Sequence, residues 1–517
     1  MTRTSLRLAA VLALLATPVA AQQTWTVDTS GAARLIDEGM NRSQVMDALR
    51  ILADSIGPRL AGSSNYEKAV QWAQARFRSY GIPAHAEAYD YGVAFERGQA
   101  TAWLTAPFRR QMTMWSWAWT NGTGNRAWEG PVVRVDVSTP ESLAVYRDRI
   151  RGAWIMTADP ADLWNPDGPP MTAADSAARR ERQQARFAGQ RGRAPMDSAT
   201  RARMAQFRVD LPYLLRQAGA LGRITDGAKD FGLLTMSGSP RSVSPLPNAV
   251  IGHEDYLMLD RQLRAGMAPR FSATIDNKVG TQQIKQWNVV AEIRGSERPG
   301  EVVIVGGHYD SWDLSQGVTD NGTGSMAAME ALRIIQASGL KPKRTIRAIL
   351  FGSEEEGLIG SAEYAAAHAA ESDSIQAVLV LDNGAGMITG QAMQGRPEFT
   401  QLWTDLFAPV QSLNGGTPFV VRDGNKGGTD HLSFVPQGVP AFNYDQMTRG
   451  YNHTHHSQVD SYDKVPEWDL RQASTIMAVT AYELANLPGA ILPRGPKSER
   501  PSFFSNLRPS PGLERVR

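Results

Sequence analysis

Three short apolar runs, Val302–Val305, Arg344–Phe351 and Ile375–Leu381, each give way abruptly to chemistry-bearing side chains. The first leads into Gly306-Gly307-His308-Tyr309-Asp310, the second into Gly352-Ser353-Glu354-Glu355-Glu356-Gly357, the third into Asp382. Continuous β-branched runs of this length, closed by Gly or a turn, predict strands buried on both faces. Between them, Ser325–Gln336 and Leu358–Ala370 carry helical patterns. The alternation is βαβαβ, which predicts an α/β fold with a mixed, mainly parallel sheet flanked by helices. Ligands of such sheets gather beyond the carboxyl ends of the strands. His308, Asp310, Glu354, Glu355 and Asp382 fall at such ends, and Asp320 lies in the turn that opens the helix after the first strand.

Elsewhere the pattern is weaker. Val45, Leu49, Leu52 and Ile56 recur at helical spacing, and Tyr66 to Phe77 predicts a second helix. The Gly57–Ser63 stretch between them is a turn, in which Arg59 reads as a surface or capping residue. Alternation over Ala84–Ala88 predicts an edge strand, with no role for His85. Trp115, Trp117 and Trp119 alternate and so would share one strand face, packed in a sheet or at a domain interface. Pro131–Val135, Ala153–Met156 and Gly232–Met236 are short strand candidates in a second module. His253 reads as a surface residue. Asn288–Ile293, the turn at Glu297–Gly300 and the Val302 run together predict a hairpin feeding the sheet.

A chain of 517 residues is too long for one simple core and predicts two or three domains. Residues 1–21 read as a secretory signal peptide: Arg3 and Arg7, a short apolar run from Leu8 to Leu15, then Val19-Ala20-Ala21. That run is too short to span a bilayer, and no other segment is apolar enough for stable membrane insertion. Residues 22–125 would form the N-terminal part of a main domain, 126–275 an inserted β-rich module, 276–490 the bulk of the main domain, and 491–517 a flexible tail. Within the insert, 167–207 is rich in Arg, Gln and Ala and predicts a solvated helix or mobile loop. Net charge is only +2, so nucleic acid is not an implied partner. The absence of cysteine excludes disulfides, zinc–thiolate sites and a cysteine nucleophile. Secretion without cysteine fits a bacterial periplasmic or extracellular protein.

Carboxylates with imidazole suit zinc. His308, Asp320, Glu355 and Asp382 supply such a set once a second imidazole joins them, and Asn452–Asp460 offers His453, His455 and His456. Two metals about 3.5–4 Å apart, bridged by one carboxylate, account for the whole set. Glu354, beside a ligand without being one, then reads as a base. Singly, each residue has a bland reading: an acidic turn, a strand-end histidine, a helix cap. Their coincidence at successive strand ends does not.

His308-Tyr309-Asp310, Asp320-Asn321-Gly322, Glu354-Glu355 and Asp382 resemble the M28 family of co-catalytic zinc exopeptidases. Thr429-Asp430-His431, Phe434 and Gly438–Ala441 are similar to the loop and strand before that family's last ligand. The likeness spans about Ser43 to Leu487, and the middle module resembles a protease-associated domain. The Gly-Gly-His-Tyr-Asp-Ser-Trp-Asp run and the paired His455-His456 resemble the carboxypeptidase Q branch. The resemblance implies two Zn2+ per chain. Asp320 would bridge them, with His308 and Asp382 on one and Glu355 and His456 on the other. It implies Glu354 as general base and Asp310 as the partner of the second ring nitrogen of His308. The family ending, Tyr-His-Thr-x-x-Asp, selects His456 through its spacing to Asp460 and puts His455 where the family has a carbonyl-polarising tyrosine. Tyr444 or Tyr451 is the alternative for that role, and His431 reads as a loop hydrogen-bonder. The implied activity is aminopeptidase or dipeptidase action on peptides or dipeptides, with a homodimer allowed by analogy. A carboxypeptidase, a single-zinc glutaminyl cyclase and a non-catalytic secreted binding module are the alternatives.

Overall fold

A computed structural model describes residues 25–498 except 138, 162 and 164–196. The proposed signal peptide, most of the basic insert and the end of the tail lie outside the described residues. Among the described residues, sixteen strands form two eight-stranded sheets. In chain order they are β1 (Ala84–Glu96), β2 (Ala100–Ala106), β3 (Arg110–Met112), β4 (Met114–Ser116), β5 (Trp128–Arg134), β6 (Trp154–Met156), β7 (Gly222–Asp226) and β8 (Asn248–Ile251). There follow β9 (Arg270–Ile275), β10 (Lys278–Ile293), β11 (Arg298–His308), β12 (Arg344–Phe351), β13 (Ile375–Val380), β14 (Ile388–Ala392), β15 (Val420–Arg422) and β16 (Ala441–Gln446).

The first sheet has the order β1-β10-β12-β11-β13-β16-β14-β15. Its centre is parallel: β11 pairs with β12 and β13, and β13 with β16. The three apolar runs are therefore adjacent strands, and every residue from Val302 to His308 is buried. The helix Thr323–Ser338 crosses over β11 and is buried from Thr323 to Ile335, so its apolar residues are spread around it rather than confined to one stripe, with Glu330 and Arg333 the charged exceptions. It lies close on the strand end: a Cβ on Gly307 would sit 2.7 Å from the Gly324 carbonyl carbon. The helix Glu467–Asn486 packs beside it. Buried Arg333 holds Glu330 on the crossover helix and Glu38 on the first helix (Ala32–Asn41) at 2.8 and 2.7 Å.

The expected hairpin does not form. β10 pairs with β12, which lies between it and β11. The crossover through Thr323–Ser338 delivers β12 to the flank that a hairpin partner would take.

The second sheet has the order β3-β2-β9-β5-β6-β7-β8-β4. It begins at Ala100, so residues 100–116 belong with this sheet rather than with the main one, where the composition-based boundary put them. Gly232–Met236 is not a strand; its backbone bonds to the 456–458 stretch instead. Of the tryptophans only Trp115 lies on a strand, and Trp119 has φ +51°. All three nonetheless pack in one cluster with Tyr91, Phe95 and Trp312, where the two sheets meet.

A candidate metal centre at the strand ends

The carboxyl ends of β11, β12 and β13 open on one point. His308 ends β11, and its Nε2 lies 3.4 Å from Asp320 Oδ1 and 3.7 Å from Asp382 Oδ1. On the other side of Asp320, His456 Nε2 lies 3.4 Å from Oδ2 and 2.9 Å from Glu355 Oε2. His455 stacks on His456 at 3.7 Å between ring centroids, and its Nε2 is 3.9 Å from Asp320 Oδ2. Asp320 is thus the shared member of two donor groups, one toward His308 and one toward the paired histidines. His308, Asp320 and Glu355, and separately Asp320, His455 and His456, bring donor atoms within 4.8 Å of one another.

The loops are held from behind. Asp460 accepts the N–H of Thr319 at 2.6 Å and of Asp320 at 3.1 Å, and Tyr451 Oη donates to Asp320 Oδ1 at 2.9 Å. Arg59, expected at the surface, is fully buried. Its guanidinium donates to the carbonyls of Tyr309, Gln316 and Gly317 at 2.9, 2.8 and 2.6 Å. Turn carbonyls buried without sheet partners need a donor, and a guanidinium can serve several at once. Gly317 itself has φ +60°, and a Cβ there would meet the Ser311 side chain at 2.2 Å.

Asp310 does something other than expected. The nearer partner of His308 Nδ1 is its main-chain carbonyl, at 3.1 Å, with the carboxylate 3.7 Å away. That carboxylate instead accepts the N–H groups of Glu354 and Glu355 at 3.1 and 3.2 Å. Among the alternatives for the tyrosine, Tyr444 is buried with its hydroxyl on Thr480, whereas Tyr451 and His455 line the cleft. His431 bonds the Lys426 carbonyl at 3.1 Å. His253 is buried, not exposed, and pairs with Asp226 at 3.0 Å.

Electrostatics mark the point as cation-seeking. Burial pushes Glu354 and Glu355 well above the usual carboxyl range, and neighbouring carboxylates add to this. Burial opposes a charge on His308, yet Asp382, Asp310 and Asp320 hold its pKa well above the ordinary value. Burial acts against ionisation of Asp320 as well, but His308, His456 and His455 win and lower it. His308 Nε2, Asp320 Oδ2, Glu355 Oε1 and Asp382 Oδ1 are buried without a hydrogen-bond partner. Orphaned polar atoms are rare in folded proteins. Here they converge, where a bound cation would satisfy them together. A cavity of about 240 Å3 opens onto this point, lined by Glu354, Leu358, Asn383, Leu432, Tyr451 and His455 among others.

Residues 288–481, which span this sheet and its acid-tipped loops, match the model of Peptidase family M28. That segment belongs to peptidase family M28. The match indicates a metallopeptidase, a hydrolase of peptide bonds. Relatives match over a longer span: carboxypeptidase Q of Mus musculus is 28% identical over 464 residues, 88% of each chain. Carboxypeptidase Q of Bos taurus is 27% identical over 465 residues with the same coverage. The fold is shared with a peptidase M28 precursor from Shewanella amazonensis at TM-score 0.70 and 23% identity, covering 91% of this chain and 99% of that one. It is shared as well with a zinc aminopeptidase from Bacillus subtilis at TM-score 0.58 and 17% identity, covering 90% and 98%. The M28 match omits Arg59 and the residues before β10 that pack against the site. Leu358, Asn383, Leu432 and Trp312 carry no sequence signal as site residues. Trp312 lies in the Gly306–Asp313 run, but nothing there says that its ring edge meets His456 at 5.9 Å.

Proposed function

We propose that this chain is a secreted di-zinc exopeptidase that removes N-terminal residues from peptides or dipeptides. The observation that carries the reading is the convergence of His308, Asp320, Glu355, Asp382 and His456, with orphaned donor atoms, beside a cleft wall containing Glu354. His308 and Asp382 would hold one zinc, Glu355 and His456 the other, and Asp320 both. Bound there, the pair supplies Lewis-acid polarisation of the scissile carbonyl and lowers the pKa of a water molecule toward neutrality.

The remaining chemistry belongs to the chain. Glu354, on the cleft wall, takes the proton of the attacking water on a carboxylate oxygen and returns it to the leaving amine. Asp310 fixes this glutamate by accepting its N–H. Tyr451 orients the shared carboxylate through its hydroxyl. His455 lines the cleft, where an imidazole N–H can donate to the developing oxyanion. A free α-amine could be held at the proposed metal site, which favours action at a free N-terminus.

The test is a panel of dipeptides, free, N-blocked and C-blocked, assayed before and after chelation and zinc re-addition. Loss of cleavage on N-blocking alone is expected. Cleavage that tolerates N-blocking but not C-blocking would replace this reading with carboxypeptidase action. Glu354→Gln should keep its metal and lose at least about a thousandfold in kcat. Full turnover in the metal-loaded variant would remove Glu354 from the mechanism.

A further inference from the structure

Residues 229–236 leave the second sheet and lie along 452–458, the stretch that carries His455 and His456. Four hydrogen bonds join the two stretches. The Lys229 ammonium donates to the Asn452 carbonyl. The Leu234 N–H donates to Gln458 Oε1 at 2.9 Å, and Gln458 Nε2 donates to the Gly232 carbonyl at 2.9 Å. The Met236 N–H donates to the His456 carbonyl at 2.9 Å. Neither stretch is a strand, so no ladder holds them together. One side chain does much of that work. A primary amide offers an acceptor and a donor side by side without charge, and so replaces a missing peptide unit opposite an irregular backbone.

His456 needs such support. Its φ is +57°, in the left-handed region where residues with a Cβ are disfavoured. Its ring stands edge-on to Trp312 at 5.9 Å, and Trp312 stands edge-on to Trp119, beyond the second sheet's β4, at 6.4 Å. The backbone of His456 is therefore braced by the strap, and its imidazole by Trp312 of the loop after β11, which in turn packs on Trp119.

We propose that Gln458, with the 229–236 strap, is the positioning element of His456, so that metal capture at His456 is coupled to docking of the second sheet on the first. This rests on the reading of His456 as a metal ligand. Coupling of this kind is reciprocal: whatever the strap does for the metal, the metal does for the strap.

The probe is zinc alone, titrated into the full-length apoprotein in competition with a chromophoric chelator. Gln458→Met keeps the chain length and removes both amide bonds. One of the two zinc equivalents is expected to weaken roughly 10- to 100-fold while the other stays within about twofold. In the wild-type protein, hydrogen exchange at the Leu234 and Met236 amides should slow at least about tenfold on zinc loading. Wild-type titration by Gln458→Met, equal weakening of both equivalents, or exchange indifferent to zinc would each overturn the proposal. The exchange measurement decides even where the variant fails to fold. His456→Ala separates the two readings. Retention of both equivalents there defeats the ligand assignment, whereas loss of one with an unaffected Gln458→Met defeats the positioning role alone.

Discussion

Glu483, on the long helix Glu467–Asn486, is almost wholly buried, and neither carboxyl oxygen has a hydrogen-bond partner. Burial pushes its pKa up to about 9, with Asp28 adding a little. The group is therefore neutral in the folded protein at pH 7 and ionised in the unfolded chain above the ordinary value of 4.5. Between those two values the folded state holds a proton that the unfolded state has released, so stability must fall as pH rises. The slope is about 1.4 kcal/mol per pH unit. From pH 5 to pH 8 the loss assigned to this group is on the order of 4 kcal/mol. Glu483→Gln preserves shape and removes the proton. Urea unfolding of wild type and variant at pH 5, 6, 7 and 8 isolates the effect, since all other titrating groups cancel in the difference. The variant should be close to wild type at pH 5 and more stable by a few kcal/mol at pH 8. A difference that stays constant across this range would show that Glu483 ionises normally and that its burial carries no such linkage.

Asp310→Asn keeps one acceptor oxygen for two N–H groups, so kcat should fall about ten- to a hundredfold with KM little changed; a KM effect alone would argue against a role in placing Glu354. Arg333→Met leaves the buried Glu330 without its cation and Glu38 with Arg42 alone, and should destabilise by about 3–5 kcal/mol in urea unfolding, leaving zinc stoichiometry intact. Chelation should lower the melting temperature and zinc should restore it, rising with the logarithm of free zinc above the dissociation constant, because ligand binding adds to the stability of the folded state alone; a melting temperature independent of metal would contradict the donor-set reading.

The strand-end positions of His308, Glu354, Glu355 and Asp382 are legible because three runs of β-branched residues stop where the sheet stops. Register then follows without further information, since parallel neighbours put their carboxyl ends at one edge. Strand order is less accessible. β10 and β11 adjoin in sequence and are separated by β12 in space, because a crossover connection and a hairpin have the same local pattern. Arg59 was equally opaque: nothing in Gly57–Ser63 announces that the carbonyls it serves lie some 250 positions later. Gly232–Met236 reads as a strand because its apolar content is real, yet its residues bury against the tryptophan cluster and 456–458 instead of a ladder. Pattern reports burial; the partner is a tertiary fact.

Arg59 also bears on how this scaffold can be cut and rebuilt. The family-matched region starts at residue 288, far downstream of that guanidinium. A fragment trimmed to the match would carry every proposed donor and still strand three inward-facing oxygens in the loop ahead of Asp320. Such a truncation should misfold or shed metal, whatever its residue inventory. Grafting or domain-exchange designs on this chain must therefore treat the opening helices as inseparable from the hydrolytic half, and not as a detachable leader.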